Sequence, residues 1–301
     1  MNKRTIMCLL IPALSLTACA QKKVSYQSPA GYEFSDPIRY AMNDDLLEIS
    51  GITFENGRSD TVYAEQDEEG KVYYLRLGDK KAKDVKFGKK GDYEDIAICN
   101  GYVIVLRSDG ALYCFSLEEV KKGQIQDTRK WNDLLPKGEY ESLYADPETN
   151  QLVLLCKDSH EDHKTGRVSG YRFQLKKDGT ILPAGSFVFH PEQIKQKTGK
   201  DPGEFKPSAL TRDNRTGNWY ILSSVNKMLV VTGKHWKVEH VYKLDPSLFV
   251  QPEGIAFDNA HALYISNEGD KTTAGTILKF PYKEPGRASA QDVPPVNANG
   301  S

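Results

Sequence analysis

Five short stretches of this 301-residue chain open on a carboxylate or a hydroxyl and run into a brief apolar segment: "SGITFE" from Ser50, "EDIAIC" from Glu94, "ESLYAD" from Glu141, "SALTRD" from Ser208 and "EGIAFD" from Glu253. A fold that gathered these starts on one axis would crowd Glu94, Glu141 and Glu253 together, with Glu48 and Asp95 beside them. Carboxylates in one channel repel, so each must be protonated, paired with a cation or well hydrated. Ca²⁺ is the natural guest, a hard ion that takes about six to eight oxygen ligands in flexible geometry. The other reading is structural: the same Glu side chains accept backbone N–H bonds, or pair with Arg107, Lys157 or Lys206, and hold the fold together.

What must position these residues is a repeat. The starts lie 44, 47, 67 and 45 residues apart, and a period in the forties with short strands in each unit signals a propeller or solenoid. After each motif comes a turn rich in Asn, Asp or Gly ("ENGRSD", "NG", "DPETN", "DNRTGN", "DNAH"), which is hairpin chemistry. Second strands ("TVYAEQ", "YVIVLRS", "QLVLLCK", "NWYILSS", "ALYISNE") and third strands ("KVYYLRL", "ALYCFSL", "SGYRFQL", "KMLVVTG", "TILKF") follow. A fourth is legible in "DVKF", "GSFVFH" and "VEHVYKL". Four antiparallel strands in about 45 residues make one propeller blade, and radial repetition avoids long exposed edges.

The expected fold is therefore all-β, a single β-propeller over residues 32–284 with five four-stranded blades. A sixth would fit only if the long third interval hides a divergent unit. The last unit lacks its fourth strand, and the N-terminal "YEFSDPIRYAM" is expected to supply it and latch the ring. "PEQIKQKTG", with helical propensity, and the charged "SHEDHKTGR" read as insertions on one blade.

In a propeller the first strand of each blade lines the tunnel, which puts the motif starts on a ring and makes Glu48, Glu94, Asp95, Glu141 and Glu253 the candidate metal ligands. Residues after the second strands, Asp67, Glu68, Ser108, Asp158 and Glu268, are expected to rim the same face. Arg107, Lys157, Lys206 and Arg212 are the basic residues that could hold a phosphate. No G-x-S-x-G elbow is present. His160 and His163 in "SHEDH" lack a third ligand at fixed spacing. Tyr63, Tyr73, Tyr113, Tyr220 and Tyr264 fall inside strands and read as packing between blades. Cys99, Cys114 and Cys156 sit among apolar neighbours and read as small core residues; Cys99 and Cys114, two strands apart, are too distant for a disulfide.

At the N-terminus, Lys3 and Arg4 precede an apolar run from Ile6 to Leu16 and then small residues, the pattern of an export signal over residues 1–18. The run is too short to span a bilayer. Leu16-Thr17-Ala18-Cys19 resembles the bacterial lipobox, so Cys19 is the expected lipid attachment point and its acyl chains the membrane anchor. Residues 19–31 would form a tether and residues 285–301, polar and Pro-containing, a disordered tail. Ala20 and Gln21 carry no Asp retention signal, which leans toward the outer membrane. With 40 basic and 41 acidic residues, the chain has no electrostatic footprint for nucleic acid.

The stretches "LLEISGITF", "GDYEDIAI" and "QPEGIAFD…ALYISNEG" resemble the SdiA-regulated family of bacterial propellers, cousins of esterase-like phytase and lactonase propellers, over roughly residues 32 to 284. The third and fourth units depart from its pattern, reading "ESLYAD" and "SALTRD" where "EGIA" or "SGIA" is favoured. The resemblance implies a propeller at the cell envelope, and related propellers commonly hold Ca²⁺ in the tunnel. Function is thus expected to be binding of a small ligand or an envelope protein at the tunnel face, with Ca²⁺. The competing expectation is a Ca²⁺-dependent phytase-like or lactonase-like hydrolase.

Overall fold

The computed structural model describes residues 25–284; the expected leader, Cys19 and the C-terminal tail lie outside the described residues. Twenty strands form five four-stranded antiparallel sheets. Blade 1 comprises β2 (Ile49–Phe54), β3 (Val62–Gln66), β4 (Lys71–Leu75) and β5 (Lys83–Lys86). Blade 2 comprises β6 (Tyr93–Cys99), β7 (Tyr102–Arg107), β8 (Leu112–Ser116) and β9 (Arg129–Trp131). Blade 3 runs through β10 (Glu139–Asp146), β11 (Gln151–Asp158), β12 (Val168–Leu175) and β13 (Ile181–Phe189). Blade 4 has β14 (Ala209–Arg212), β15 (Trp219–Ser223), β16 (Met228–Thr232) and β17 (Val238–Lys243).

Blade 5 contains β18 (Pro252–Phe257), β19 (Leu263–Asn267) and β20 (Thr276–Phe280), and its outer place is taken by β1 (Ile38–Ala41). β1 pairs with β20 from Ile38 opposite Lys279 to Ala41 opposite Thr276, the ring closure expected from the sequence. The long third interval holds no sixth sheet among the described residues. It is filled by the nine residues of β13 and by helix α3 (Glu192–Thr198). The charged "SHEDHKTGR", read as an insertion, contains helix α2 (His160–Thr165), because Ser159 caps it by accepting from the Asp162 N–H at 3.2 Å and Gly166 ends it in the left-handed region. Helix α1 (Leu117–Lys121) comes earlier, between β8 and β9.

Hairpin chemistry follows the sequence closely at "NG", where Asn100 and Gly101 take φ of 52° and 79° between β6 and β7. Positive φ at both central residues matches the right-handed twist of the flanking strands.

The first strands touch one another in the order β2, β6, β10, β14, β18 and back to β2, so they encircle the centre. Side chains along a strand alternate between faces, and here the two faces are the preceding and following blades. The third residue of each motif, Ile52, Ile96, Leu143, Leu210 or Ile255, packs into the seam with the preceding blade. The second residue faces the following blade and is small where backbones nearly touch: a Cβ on Gly51 would lie 2.7 Å from the Asp95 Cα. Five apolar clusters, one for each seam, make up the core. The strand tyrosines expected to pack between blades are buried, from 0 % exposed at Tyr264 to 7 % at Tyr113, and all three cysteines are free and buried.

Part of the expected tether belongs to this core. Ser28 Oγ accepts from the Phe34 N–H at 2.8 Å, Gly31 packs on Tyr282, and Tyr32 and Phe34 are buried in the seam between blades 4 and 5.

Candidate functional site

Where the first strands begin, a chamber of about 470 Å³ opens at the centre of the ring. Its walls carry nine carboxylates, from Glu48, Asp67, Asp92, Glu94, Asp109, Glu139, Glu141, Glu253 and Glu268, together with Ser50, Ser108 and a single lysine, Lys157. Towards the other end of the strands, Ile52, Ile96, Leu143, Leu210 and Ile255 border a cavity of only about 70 Å³. An acidic bowl thus lies at one end of the strands and a smaller cavity, of mixed aliphatic and polar lining, at the other.

The bowl is held by bonds between blades. Ser50 Oγ donates to the Glu94 carbonyl at 2.8 Å, and Ser266 Oγ donates to the Ser50 carbonyl at 2.6 Å, tying blade 5 to blade 1 and blade 1 to blade 2. The residues after the second strands are stitched to the next blade as well. Tyr93 N donates to the Asp67 carbonyl at 2.8 Å, and Tyr140 N to the Ser108 carbonyl at 2.9 Å. These contacts fix Asp67 and Ser108 at the rim.

Crowding and burial act on the acids in the direction that charge repulsion requires. Burial, then the nearby Asp92, pushes the Glu94 carboxyl up to about 9. Asp67 rises to about 7, through burial and the facing Glu48 and Glu268 carboxylates. Glu253 also rises to about 7, chiefly by burial, although Ser224 opposes the shift. Glu268 is raised by burial against a 2.6 Å hydrogen bond from Gln251. Two of the acids have a close cation, Glu141 with Lys157 and Asp109 with Arg107 at 2.5 Å. The set is oxygen-only, and Asp67 Oδ1 is buried with no hydrogen-bond partner. A bowl with more carboxylates than cations and an unpartnered carboxylate oxygen has the donor chemistry of a hard-cation site.

Residues 200–271 match the family described as SdiA-regulated. The resemblance read from the sequence is borne out over that stretch. Among solved structures, the glutaminyl cyclase of Myxococcus xanthus superposes with a TM-score of 0.55 at 14 % identity, covering 82 % of this chain and 95 % of its own. Regucalcin from Agrobacterium tumefaciens, described as a calcium-binding protein, gives a TM-score of 0.50 at 12 % identity, covering 81 % of this chain and 95 % of its own. At these identities the likeness is one of propeller fold. No curated protein matches the chain.

Of the expected ligands, Glu48, Glu94, Glu141 and Glu253 do meet in the bowl, but Asp95 does not. Its Oδ2 accepts from the Leu143 N–H at 2.6 Å and its Oδ1 from its own neighbour Ile96 N–H at 2.8 Å, so it bridges blades 2 and 3. Nor do the others form a ready coordination sphere. Among the described residues, no three His, Cys, Asp or Glu side chains stand close enough to hold a metal ion by themselves.

Of the expected rim, Asp67, Ser108 and Glu268 line the bowl. Glu68 is exposed and meets Lys90 at 3.7 Å. Arg107 is turned to Asp109 and to the Tyr113 hydroxyl. Asp158 and Lys206, 2.6 Å apart, border a separate side cavity that shares Lys157 with the bowl. Arg212 lies at the opposite end, 3.3 Å from Asp146. The basic residues therefore do not converge into one phosphate cradle. Asp92, Asp109 and Glu139, which sequence reading passed over, also reach the bowl. Their signal was available, since Asp92 lies two residues before a motif start. Glu65 was missed too: fully buried in β3, it accepts from the Gly51 N–H at 2.6 Å, and a lone acid in the apolar "TVYAEQ" was its signature.

Proposed function

We propose that this protein is a cell-envelope binding propeller whose acidic bowl takes a divalent cation, Ca²⁺ by its oxygen donors, and with it a small polar ligand or the side chain of a partner protein. The observation that carries the reading is the bowl itself: nine carboxylates share one chamber with a single lysine, and burial and mutual repulsion, only partly compensated, raise four of them. A divalent ion would supply that compensation. Because among the described residues no three His, Cys, Asp or Glu side chains are grouped closely enough to hold a metal ion, the ion would be held by one or two carboxylates at a time and complete its shell with water or ligand oxygens, which Ca²⁺ tolerates. That open shell is what would couple the ion to a ligand. The lipid on Cys19, drawn from Leu16-Thr17-Ala18-Cys19, would tether the propeller to the membrane.

Calcium titration calorimetry on the chain from residue 26 onward tests the first part. Saturable binding, weakened about tenfold or more in Glu94→Gln and Glu253→Gln, is the expected result. Unchanged affinity in both variants, or no binding at all, removes the bowl as a cation site. For the anchor, Cys19→Ser should move the protein from the membrane fraction to the soluble one; an unaltered distribution refutes it.

A further inference from the structure

Beside the bowl, helix α2 and the loop from Gly203 to Lys206 enclose a second cavity of about 240 Å³. Most charges on its walls already have partners. Lys206 meets Asp158 at 2.6 Å and Glu204 at 3.6 Å. His163 meets Asp158 at 2.6 Å and Glu204 at 2.5 Å. Lys157 is paired with Glu141. The Asp162 carboxylate accepts from the Ser169 N–H at 2.9 Å and the Ser169 hydroxyl at 2.7 Å.

Arg167 is the exception. It follows Gly166 at the end of α2 and lines this cavity. Among the described residues its guanidinium has no hydrogen bond or ion pair, and its Nε is shut away from solvent without an acceptor. Leaving a buried charged donor unmatched is costly, and such a group in a native protein calls for an explanation. The fork of donors on a guanidinium fits the two oxygens of a carboxylate or phosphate.

We infer that the side cavity is an oxyanion site in which Arg167 grips the carboxylate or phosphate group of a small ligand. The neighbouring ion pairs engage the other cations that line the cavity and leave Arg167 free to do so. The site is independent of the cation in the bowl, although Lys157 borders both cavities.

The test is calorimetric titration of the protein with inorganic phosphate and, separately, with acetate, at low salt and with chelator present, so that failure of calcium binding does not bear on it. Saturable binding of one or both anions is expected, and which one binds names the ligand class. Arg167→Gln should weaken it by about ten- to a hundredfold, as for loss of a charge-assisted bidentate contact. Arg167→Lys should keep part of the affinity, and Lys164→Gln, on the exposed side of α2, should keep all of it. No saturable binding of either anion overturns the inference, as does equal weakening by Arg167→Gln and Lys164→Gln, which would mean a diffuse surface potential. If Arg167→Gln does not fold, phenylglyoxal labelling of the unaltered protein gives the same answer. Arg167 should react, and phosphate or acetate should protect it; labelling indifferent to both anions refutes the site.

Discussion

Replacing Glu94 by Gln should stabilise the cation-free protein at neutral pH, and the size of the effect follows from its position. The Glu94 carboxyl is raised from its usual 4.5 to about 9 because burial and the Asp92 and Glu65 carboxylates disfavour its charge. Between those two values the folded chain holds a proton that the unfolded chain has released. The unfolded state therefore gains on the folded state as pH rises, and stability falls until the pH passes about 9. At pH 7 the accumulated cost is about 3 kcal/mol, at about 1.36 kcal/mol for each pH unit above 4.5. Glutamine keeps the shape and removes the titration. For a propeller of this size, about 3 kcal/mol corresponds to about 6 to 12 °C in melting temperature. The assay is a series of thermal melts in chelator from pH 5 to 9, with both proteins. Wild type should lose stability steadily across that range, and Glu94→Gln should lose distinctly less. Parallel melting curves across the whole series would refute the reasoning, because they would mean that the bowl hydrates Glu94 as well as bulk water does.

Three further outcomes follow from the same geometry. Asp95→Ala should cost about 2 to 4 kcal/mol in urea unfolding, since it strands the buried Leu143 and Ile96 N–H groups between blades 2 and 3; a loss under about 0.5 kcal/mol would show that the bridge contributes little. Gly254→Ala should destabilise by about 2 kcal/mol or more, because its Cβ would overlap the Ser50 carbonyl oxygen and the Ser266 hydroxyl at the seam that closes the ring; a melt unchanged from wild type would contradict the close approach. His163 should titrate above its usual 6.5, held charged mainly by its hydrogen bond to Asp158, while Lys206 and His163 hold Asp158 below its usual 3.8. The contribution of that cluster to stability should be complete between those two values. It should fade as pH rises through the folded His163 value, and again as pH falls through the folded Asp158 value. A ring-proton NMR titration of His163 at or below 6.5 would count against the pairing.

The sequence by itself determined the architecture, because a propeller is written locally. Each blade is a run of short-range hairpins, so motif spacing, turn residues such as Asn100-Gly101 and the alternation of strand residues are enough to count the blades. The stray strand before Ser50 had no local partner, which pointed to ring closure by β1. The motif starts also marked the centre, and four of the five expected carboxylate ligands, Glu48, Glu94, Glu141 and Glu253, do line the bowl. What only the tertiary structure decided is where neighbouring side chains along one strand end up. Successive residues face opposite blades, so Glu94 opens into the bowl while Asp95, one position on, is spent on backbone N–H groups of two blades. The same holds for the charges around α2. Lys206 reaches Asp158 and Glu204 reaches His163 across the fold, and the Arg167 Nε is left without a partner. Pairing between charges that are distant in sequence depends on distances of a few ångströms, and no spacing along the chain encodes them.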